Sequence, residues 1–237
     1  MRNASLRSVA VLTGAGISAE SGVPTFRGAD GLWRQYRAEE LATPQAFMRN
    51  PTLVWEWYDW RRGLIAGCQP NAAHRTLTEM ERWCEDFTLI TQNVDGLHQR
   101  AGSERILELH GDIWRVRCTT DNTVCDNHEV PLSRIPPTCP CGALLRPDVV
   151  WFGESLDSEV MNAAYAAVER CDLMLVVGTS AVVHPAASLP AIAHNAGAYL
   201  VEVNVQETAL SALADEVILG PAARELPELW ARLTGAL

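Results

Sequence analysis

Glycines and small side chains near the amino terminus form the first group of residues that could do chemistry. Residues 9–12 are apolar, and Gly14, Gly16 and Gly22 follow them. This pattern predicts a buried parallel strand, a tight turn and the start of a helix. Backbone without a Cβ can approach a pyrophosphate, towards which the first N–H groups of the helix point. The spacing differs from the standard dinucleotide fingerprint, so an ordinary strand-to-helix connection is the alternative.

Polar side chains at predicted strand ends form the second group. Gln92, Asn93 and Asp95 follow a predicted buried strand, and open α/β sheets bind ligands at such carboxyl ends. Amide groups suit a carboxamide or a ribose hydroxyl, and the carboxylate of Asp95 can accept from an N–H. A further strand predicted at 106–112 brings His110 to the same edge. We expect His110 to be a general base, since an imidazole titrates near neutrality, and a structural histidine is the alternative.

Four cysteines lie within one loop-rich stretch. Cys118 and Cys125 have six residues between them, whereas Cys139 and Cys141 have one. In a reducing compartment, clustered thiols indicate a metal site rather than disulfides. Four protein ligands would leave tetrahedral zinc no open position, so we predict a structural zinc site. His128 in place of one thiol is the alternative.

One predicted helix carries a pair of side chains suited to a carboxylate. The dipeptide Asn50-Pro51 predicts a helix start, and the helix extends to about Ala66. Tyr58 and Arg61 are three residues apart on it, so their side chains emerge together. A phenol beside the paired donors of a guanidinium could hold a carboxylate, and a solvated arginine at the helix edge is the alternative.

Composition and charge limit the class of protein. The formal net charge is −10 and 48% of the residues are hydrophobic. These values predict a globular protein and argue against general binding to nucleic acid or anionic membranes, which would need a basic face. No apolar run approaches the roughly twenty residues that span a bilayer, and the first residues lack the apolar core of a signal peptide. We therefore expect a cytoplasmic protein.

The elements that must position these groups follow an α/β pattern. Buried strands predicted at 172–177 and 198–203 end in Gly178-Thr179-Ser180 and in Asn204, which adds small and polar groups to the same edge. We predict a Rossmann-like parallel sheet with a smaller inserted domain. The predicted division is 1–31, 71–116 and 146–237 for the nucleotide-binding domain, 32–70 for a helical insertion and 117–145 for a zinc-binding insertion.

Several of these motifs, taken in chain order, resemble the sirtuin family. They are Gly14-Ala15-Gly16-Ile17-Ser18, Gly22-Val23-Pro24-Thr25-Phe26-Arg27, Thr91-Gln92-Asn93-Val94-Asp95, Leu109-His110-Gly111, the four cysteines, Gly178-Thr179-Ser180 and Val203-Asn204. The resemblance implies an NAD-dependent protein-lysine deacylase with NAD and zinc, acting on acylated lysines of proteins. Tyr58 and Arg61 resemble the tyrosine and arginine by which the class III branch recognises acidic acyl groups. This implies that removal of succinyl or malonyl groups accompanies deacetylation.

The resemblance also implies roles for individual residues. His110 matches the general base. The implied dinucleotide contacts are Gly14, Ala15, Gly16, Ser18, Glu20, Thr25, Phe26, Arg27, Trp33, Gln92, Asn93, Asp95, Gly178, Thr179, Ser180, Asn204, Val205, Gln206 and Ala222. The implied contacts of the acyl-lysine substrate are Tyr58, Arg61, Val150, Phe152 and Gly153, and the implied zinc ligands are Cys118, Cys125, Cys139 and Cys141.

The chemistry that the resemblance implies consumes NAD. The acyl oxygen attacks C1′ of the nicotinamide ribose, nicotinamide leaves, and His110 helps a ribose hydroxyl attack the resulting imidate to give lysine and O-acyl-ADP-ribose. Such a reaction depends on positioning and on excluding water more than on a strong nucleophile. Asn93 and Asp95 are expected to hold the carboxamide and Phe26 to cover the ribose. The alternatives are an NAD or ADP-ribose binding module, a mono-ADP-ribosyltransferase and an ordinary dehydrogenase.

Overall fold

The structure is a computed structural model that describes residues 7–24, 32–33 and 36–235. Strands and helices occur both singly and in runs along the chain. In order they are β1 (Ser8–Thr13), α1 (Gly16–Ala19), β2 (Leu32–Trp33), β3 (Tyr36–Arg37), α2 (Ala38–Leu41), α3 (Pro44–Arg49), α4 (Pro51–Ala66), α5 (Ala72–Trp83), β4 (Asp86–Thr91), α6 (Leu97–Ala101), β5 (Ile106–Glu108), β6 (Gly111–Cys118), β7 (Val124–Asp126), β8 (Leu145–Val149), α7 (Ser158–Arg170), β9 (Leu173–Val177), α8 (Leu189–Asn195), β10 (Tyr199–Asn204), β11 (Glu216–Leu219) and α9 (Ala222–Thr234).

Six parallel strands form the main sheet, in the order β11-β10-β9-β1-β4-β5. If only these six are counted along the chain, the order read from the β5 edge is 3-2-1-4-5-6, which is that of doubly wound nucleotide-binding sheets. The winding reverses between β1 and β9, and such sheets bind ligands at the carboxyl ends of the strands at that point. The predicted Rossmann-like sheet is confirmed.

Helices cover both faces of this sheet. In β1, Val9 and Val11 pack on the side of α5 and α9, whereas Ala10 and Leu12 pack on the side of α7 and α8. Successive side chains of a strand point to opposite faces, so a strand buried on both faces is apolar throughout. This explains the continuous apolar runs in the sequence.

A second, smaller unit joins helices to an antiparallel sheet. Trp55 of α4 packs in one core with Val116 of β6, and the small sheet has the order β7-β6-β8. Arg62, which is fully buried, donates from Nε to the Ile113 carbonyl (2.8 Å) and from its two terminal nitrogens to the side chain (2.8 Å) and carbonyl (2.7 Å) of Asn127. Burial lowers the pKa of Arg62 to about 10. The helical insertion and the cysteine-bearing insertion thus share one core.

The strand predicted at 106–112 is wrong as a single element, because the structure divides it between two sheets. β5 ends at Glu108 in the main sheet, and β6 begins at Gly111 in the small one. Gly111 has φ +77°, and a Cβ there would lie 2.2 Å from the Asp148 carbonyl oxygen, so only glycine fits this turn. His110 therefore lies where the chain passes from one sheet to the other. The small sheet, from Gly111 to Val149, extends beyond 117–145 at both ends.

Candidate active site

The loops after β1 and β9 pack backbone against backbone where the winding reverses. Gly14 N–H donates to the Val177 carbonyl (3.0 Å) and Gly16 N–H to the Gly178 carbonyl (2.8 Å). A Cβ on Gly16 would lie 2.7 Å from Gly178 Cα. Gly178 itself has φ +62°, and a Cβ on it would lie 2.4 Å from Ile17 N. These glycines are required by the contact between the loops.

The helix predicted after Gly14 is a single turn, α1. Besides the two N–H groups just described, those of Ile17 and Ser18 donate to the carbonyls of Gly14 and Ala15, at 3.2 and 3.1 Å. We expected N–H groups at this helix start to be open to a pyrophosphate, but these four already donate to carbonyl oxygens of the protein. The glycines serve mainly to let the two loops pack against each other.

His110 and Gln92 are joined by a hydrogen bond at the carboxyl edge of β4. His110 Nδ1 lies 2.9 Å from the Gln92 carbonyl oxygen, and since a carbonyl only accepts, this partner assigns the proton to Nδ1. Nε2 then carries the lone pair. Gln92 is held in turn by Thr13, whose carbonyl accepts its N–H (3.0 Å), and by Thr179, whose Oγ1 accepts from its side chain (3.0 Å). Burial lowers the pKa of His110, against the raising effect of the Gln92 carbonyl, so the imidazole is neutral at pH 7.

Asn93, Asp95 and Ser18 form a buried polar group beside this pair. Ser18 donates to Asp95 Oδ2 (2.7 Å), and Asn93 Nδ2 donates to the Gly14 carbonyl (3.1 Å). Burial raises the pKa of Asp95, against the hydrogen bonds it accepts. The structure therefore brings these predicted contact residues together around one loop junction.

Two buried histidines beneath the loops were not among the predicted site residues. His74 Nδ1 accepts the Asn71 N–H (3.3 Å), which leaves Nε2 facing Ser18 Oγ at 3.4 Å, and His98 Nε2 lies 3.0 Å from Thr13 Oγ1. Burial lowers the pKa of both, to about 4 for His74. The capping position three residues after Asn71 is a sequence signal for His74, whereas no local pattern marks His98.

The loops after β9 and β10 are tied together by Asn204. Its Nδ2 donates to the Thr179 carbonyl (2.8 Å), and its Oδ1 accepts the Val205 N–H (2.9 Å). Ser180 is half-buried in the first loop, and Val205 and Gln206 are exposed in the second. Both polar atoms of the Asn204 side chain therefore bond to protein.

Glu20 and Ala222 meet where α9 begins. Glu20 Oε2 accepts the Ala223 N–H (2.7 Å), and Ala222 is buried beside it. Glu20 directly follows α1 and therefore links that helix to α9. Ala15, which directly precedes α1, is half-buried. This contact gives Glu20 a structural partner within the chain.

Tyr58 and Arg61 lie on α4, which occupies the predicted residues and is capped by Asn50. Both side chains are buried, at 4% and 8% exposure, so the alternative of a solvated arginine is wrong. The Tyr58 hydroxyl accepts from Trp151 Nε1 (2.9 Å), and the Arg61 guanidinium carbon lies 5.5 Å from the ring centre of Trp57. Burial raises the pKa of Tyr58, while the Trp151 hydrogen bond and the Arg61 charge oppose the rise.

The segment after β8 passes directly beside the histidine. Val150 N–H donates to the His110 carbonyl (2.9 Å), and Phe152 N–H donates to the Ala42 carbonyl (2.9 Å). Phe152 exposes 49% of its surface, and Gly153 has φ +90°. The chain thus presents an apolar side chain to solvent two residues beyond the contact with His110.

Three of the four predicted zinc ligands come together. The ligand atoms of Cys118, Cys139, Cys141 and Asp121 all lie within 4.8 Å of one another, and the Cys118 and Cys141 sulfurs are 3.6 Å apart. Tetrahedral zinc with Zn–S bonds of about 2.3 Å places its sulfurs about 3.8 Å apart. The cluster therefore fits zinc in both size and chemistry.

Cys125, the fourth predicted ligand, lies outside this cluster. It is exposed on β7, where the antiparallel register places it opposite Val116. His128, the alternative ligand, stacks on Trp114 with ring centres 5.7 Å apart. The turn between β6 and β7 brings Asp121 rather than either residue to the thiols.

Four predicted contacts have no described side chain. Thr25, Phe26 and Arg27 lie outside the described residues, and Trp33 is described only as backbone in β2. In residues 7–24, 32–33 and 36–235, no helix combines the length and hydropathy needed to cross a membrane.

Comparisons with known proteins agree with this geometry. The model of the Sir2 family matches residues 14–185. The chain is 57% identical over 209 residues to an NAD-dependent protein deacylase of Aquifex aeolicus, covering 88% of this chain and 87% of that protein. It is 54% identical over 227 residues to NAD-dependent protein deacylase 2 of Pyrobaculum aerophilum, covering 95% and 91%.

Solved structures give the same result. A crystal structure of a Sir2 homologue in complex with NAD is 50% identical, with a TM-score of 0.92 and coverage of 97% of this chain and 90% of that one. A complex of Sir2 with a p53 peptide and NAD⁺ is 33% identical, with a TM-score of 0.87 and coverage of 98% and 95%. The chain belongs to the Sir2 family, the sirtuins.

Proposed function

We propose that this protein is an NAD-dependent protein-lysine deacylase. The observation that carries the proposal is the bond from His110 Nδ1 to the Gln92 carbonyl at the ligand-binding edge of a doubly wound sheet. The relatives from Aquifex aeolicus and Pyrobaculum aerophilum are named for this activity, and the matched structures include complexes with NAD and with a peptide.

The residues at the loop junction suit a dinucleotide. Buried amide and carboxylate groups beside Gly14 provide donors and acceptors, and the loops after β1, β4, β9 and β10 meet there. We propose that Asn93 and Asp95 bind the nicotinamide carboxamide. The proposed contacts along the rest of the dinucleotide are Gly14, Ala15, Gly16, Ser18, Gln92, Gly178, Thr179, Ser180, Asn204, Val205, Gln206 and Ala222, and Glu20, Thr25, Phe26, Arg27 and Trp33 remain predictions.

His110 is the proposed general base. Bound NAD would supply an electrophilic ribose carbon and a ribose hydroxyl. His110 would accept the proton of that hydroxyl at Nε2, and the Gln92 carbonyl would stabilise the imidazolium through Nδ1–H. Such proton transfer contributes about 10²- to 10⁴-fold to a rate. We propose that the acyl-lysine chain binds to the segment after β8, at Val150, Phe152 and Gly153. The bond from the Val150 N–H to the His110 carbonyl supports this, because it holds the segment beside His110.

Succinyl and malonyl groups are proposed as substrates beside acetyl. The support is that Arg61 is 8% exposed, since a guanidinium with little water around it interacts strongly with an incoming carboxylate. The Tyr58 oxygen accepts from Trp151, so its own proton can be donated to that carboxylate. Both groups lie on α4, three residues apart.

The thiol cluster is the proposed zinc site, with a structural role. Cys118 ends β6, and Cys139 and Cys141 precede β8, so a metal there would join the strands of the small sheet. A site with four protein ligands performs no chemistry. None of the seven cysteines is paired in a disulfide, and a thiol cluster of this kind suits the reducing cytoplasm that we propose as the location.

Nicotinamide release tests this function against its alternatives. Purified protein is incubated with NAD and either acetyl-, succinyl- or malonyl-lysine peptide or the unmodified peptide. We expect release only with acylated peptide, together with O-acyl-ADP-ribose. NADH formation would indicate a dehydrogenase, ADP-ribosylated protein a transferase, and NAD binding without turnover a binding module.

A further inference from the structure

We propose that Asp121 is the fourth ligand of the zinc site, so that three thiolates and one carboxylate bind the metal. This inference rests on the zinc module proposed above. Its residues are those of the cluster already described, in which the carboxylate of Asp121 lies within 4.8 Å of the sulfurs of Cys118, Cys139 and Cys141.

The spacing of Asp121 is that of a zinc ligand. It follows Cys118 by three residues, and structural zinc sites take their first two ligands at this spacing, usually as two cysteines with two to four residues between them. A tight turn then returns the chain. Asn122 N–H donates to the Cys118 carbonyl (3.2 Å), and Cys118 N–H donates to the Thr123 carbonyl (2.9 Å). Asn122 has φ +60°, which asparagine tolerates.

The carboxylate of Asp121 is also oriented. Its Oδ1 accepts the Thr123 N–H at 2.9 Å, which fixes the carboxylate within the loop. Ligating carboxylates in proteins are commonly held by such hydrogen bonds from outside the metal's own shell. Zinc binds a carboxylate oxygen at about 2.0–2.2 Å, close to its distance to nitrogen.

A second turn presents the other two thiols. Cys139 N–H donates to the Ala143 carbonyl (2.8 Å), and Gly142 N–H donates to the Cys139 carbonyl (2.8 Å). This turn places Cys141 Sγ 3.6 Å from Cys118 Sγ. Two turns from different parts of the chain thus contribute two ligands each, which closes a tetrahedral set.

Cys125 cannot complete the set in this fold. Its position opposite Val116 on β7 keeps it outside the group whose ligand atoms converge, although its thiol is chemically the better zinc ligand. Position in the fold, rather than the preference of zinc for sulfur, therefore favours the carboxylate of Asp121 as the ligand.

X-ray absorption at the zinc edge tests the assignment directly, because oxygen and sulfur neighbours differ in distance and in scattering. The full-length wild-type protein is expected to hold one zinc per chain, with three sulfur neighbours and one oxygen. Asp121→Cys is expected to show four sulfurs. Cys125→Ser is the matched control and is expected to keep three sulfurs, one oxygen and one zinc.

Zinc release to a chelator gives a second readout that does not depend on enzyme activity. Asp121→Asn is expected to release zinc at least about tenfold faster than wild type, and Cys125→Ser at the wild-type rate. Four sulfurs in wild type that fall to three in Cys125→Ser would overturn the proposal, as would unchanged release from Asp121→Asn. Wild-type protein without zinc would overturn it too, and nicotinamide release would test the deacylase function separately.

Discussion

His110 donates a hydrogen bond from Nδ1 to the carbonyl oxygen of Gln92, 2.9 Å away. The bond decides which nitrogen of the imidazole can act as a base. Because Gln92 is itself bonded to Thr13 at the end of β1 and to Thr179 after β9, the imidazole is positioned by both strands that flank the reversal of winding. Four predictions concern this site and the unit packed beside it.

The first prediction is the pH dependence of deacylation. Burial lowers the pKa of His110 below its ordinary value of 6.5, and only the unprotonated imidazole can act as a base. Activity should therefore rise as the pH rises through a pKa below 6.5. We expect this limb in kcat/KM, measured by nicotinamide release, and an acid limb centred above 7 would contradict it. His110→Ala should lose at least about 100-fold in kcat with NAD binding retained, as measured by calorimetry.

A change at Arg61 should alter the choice of acyl group. Arg61→Met removes the charge that we propose for binding an acidic acyl group, so desuccinylation should fall by at least about tenfold more than deacetylation in kcat/KM. Tyr58→Phe should also lower desuccinylation more than deacetylation, but by a smaller factor than Arg61→Met. Arg49→Met, at an exposed position on α3, is the matched control and should leave the ratio unchanged. Equal losses on both substrates would remove Arg61 from the specificity role.

Replacing glycine by alanine at two positions should show whether NAD binding depends on the close contact between the loops after β1 and β9. Gly16→Ala places a Cβ 2.7 Å from Gly178 Cα, so the loops must separate, and we expect NAD affinity to fall by at least about tenfold, the effect of about 1.4 kcal/mol. Gly63→Ala is the control, because nothing lies within 4 Å of its added Cβ inside α4. That variant should gain about 0.5–1 kcal/mol in unfolding free energy. Wild-type NAD affinity in Gly16→Ala would show that the loops tolerate the separation.

Arg62 should matter for stability rather than for acyl choice. Its removal in Arg62→Met leaves the buried Ile113 carbonyl and the half-buried Asn127 carbonyl without their charged donor, and we expect a loss of at least about 2 kcal/mol in urea unfolding. The exposed Arg49→Met should change stability by no more than about 0.5 kcal/mol. If both variants unfold at the same urea concentration, Arg62 does not join the two insertions energetically.

Local patterns were enough to predict the main sheet and the α4 helix. The strands of the sheet are buried on both faces and are therefore apolar throughout, and α4 begins at the Asn50 cap that its sequence signals. Polar residues at the ends of predicted strands indicated which groups meet, and the structure brings Gln92, Asn93, Asp95 and His110 to one edge.

Features that depend on distant contacts were not predictable in this way. The break between β5 and β6 arises because Gly111 fits against the Asp148 carbonyl, which is far away in sequence. Counting cysteines led to Cys125, whereas the register of β7 turns that residue away and the preceding turn supplies Asp121. Burial of Arg61 likewise follows from the packing of α4 on the small sheet, which periodicity along one helix does not reveal.

The division of the chain at His110 has a mechanical consequence. The main sheet ends at Glu108 and the small sheet starts at Gly111, so the imidazole is carried by the connection between two separately packed bodies. The ring is bonded to Gln92 of the large body and the His110 carbonyl to Val150 after the small one, so rocking of one body over the other would strain both bonds. The imidazole proposed as the base and the segment proposed to bind the acyl-lysine are therefore coupled through one residue, His110.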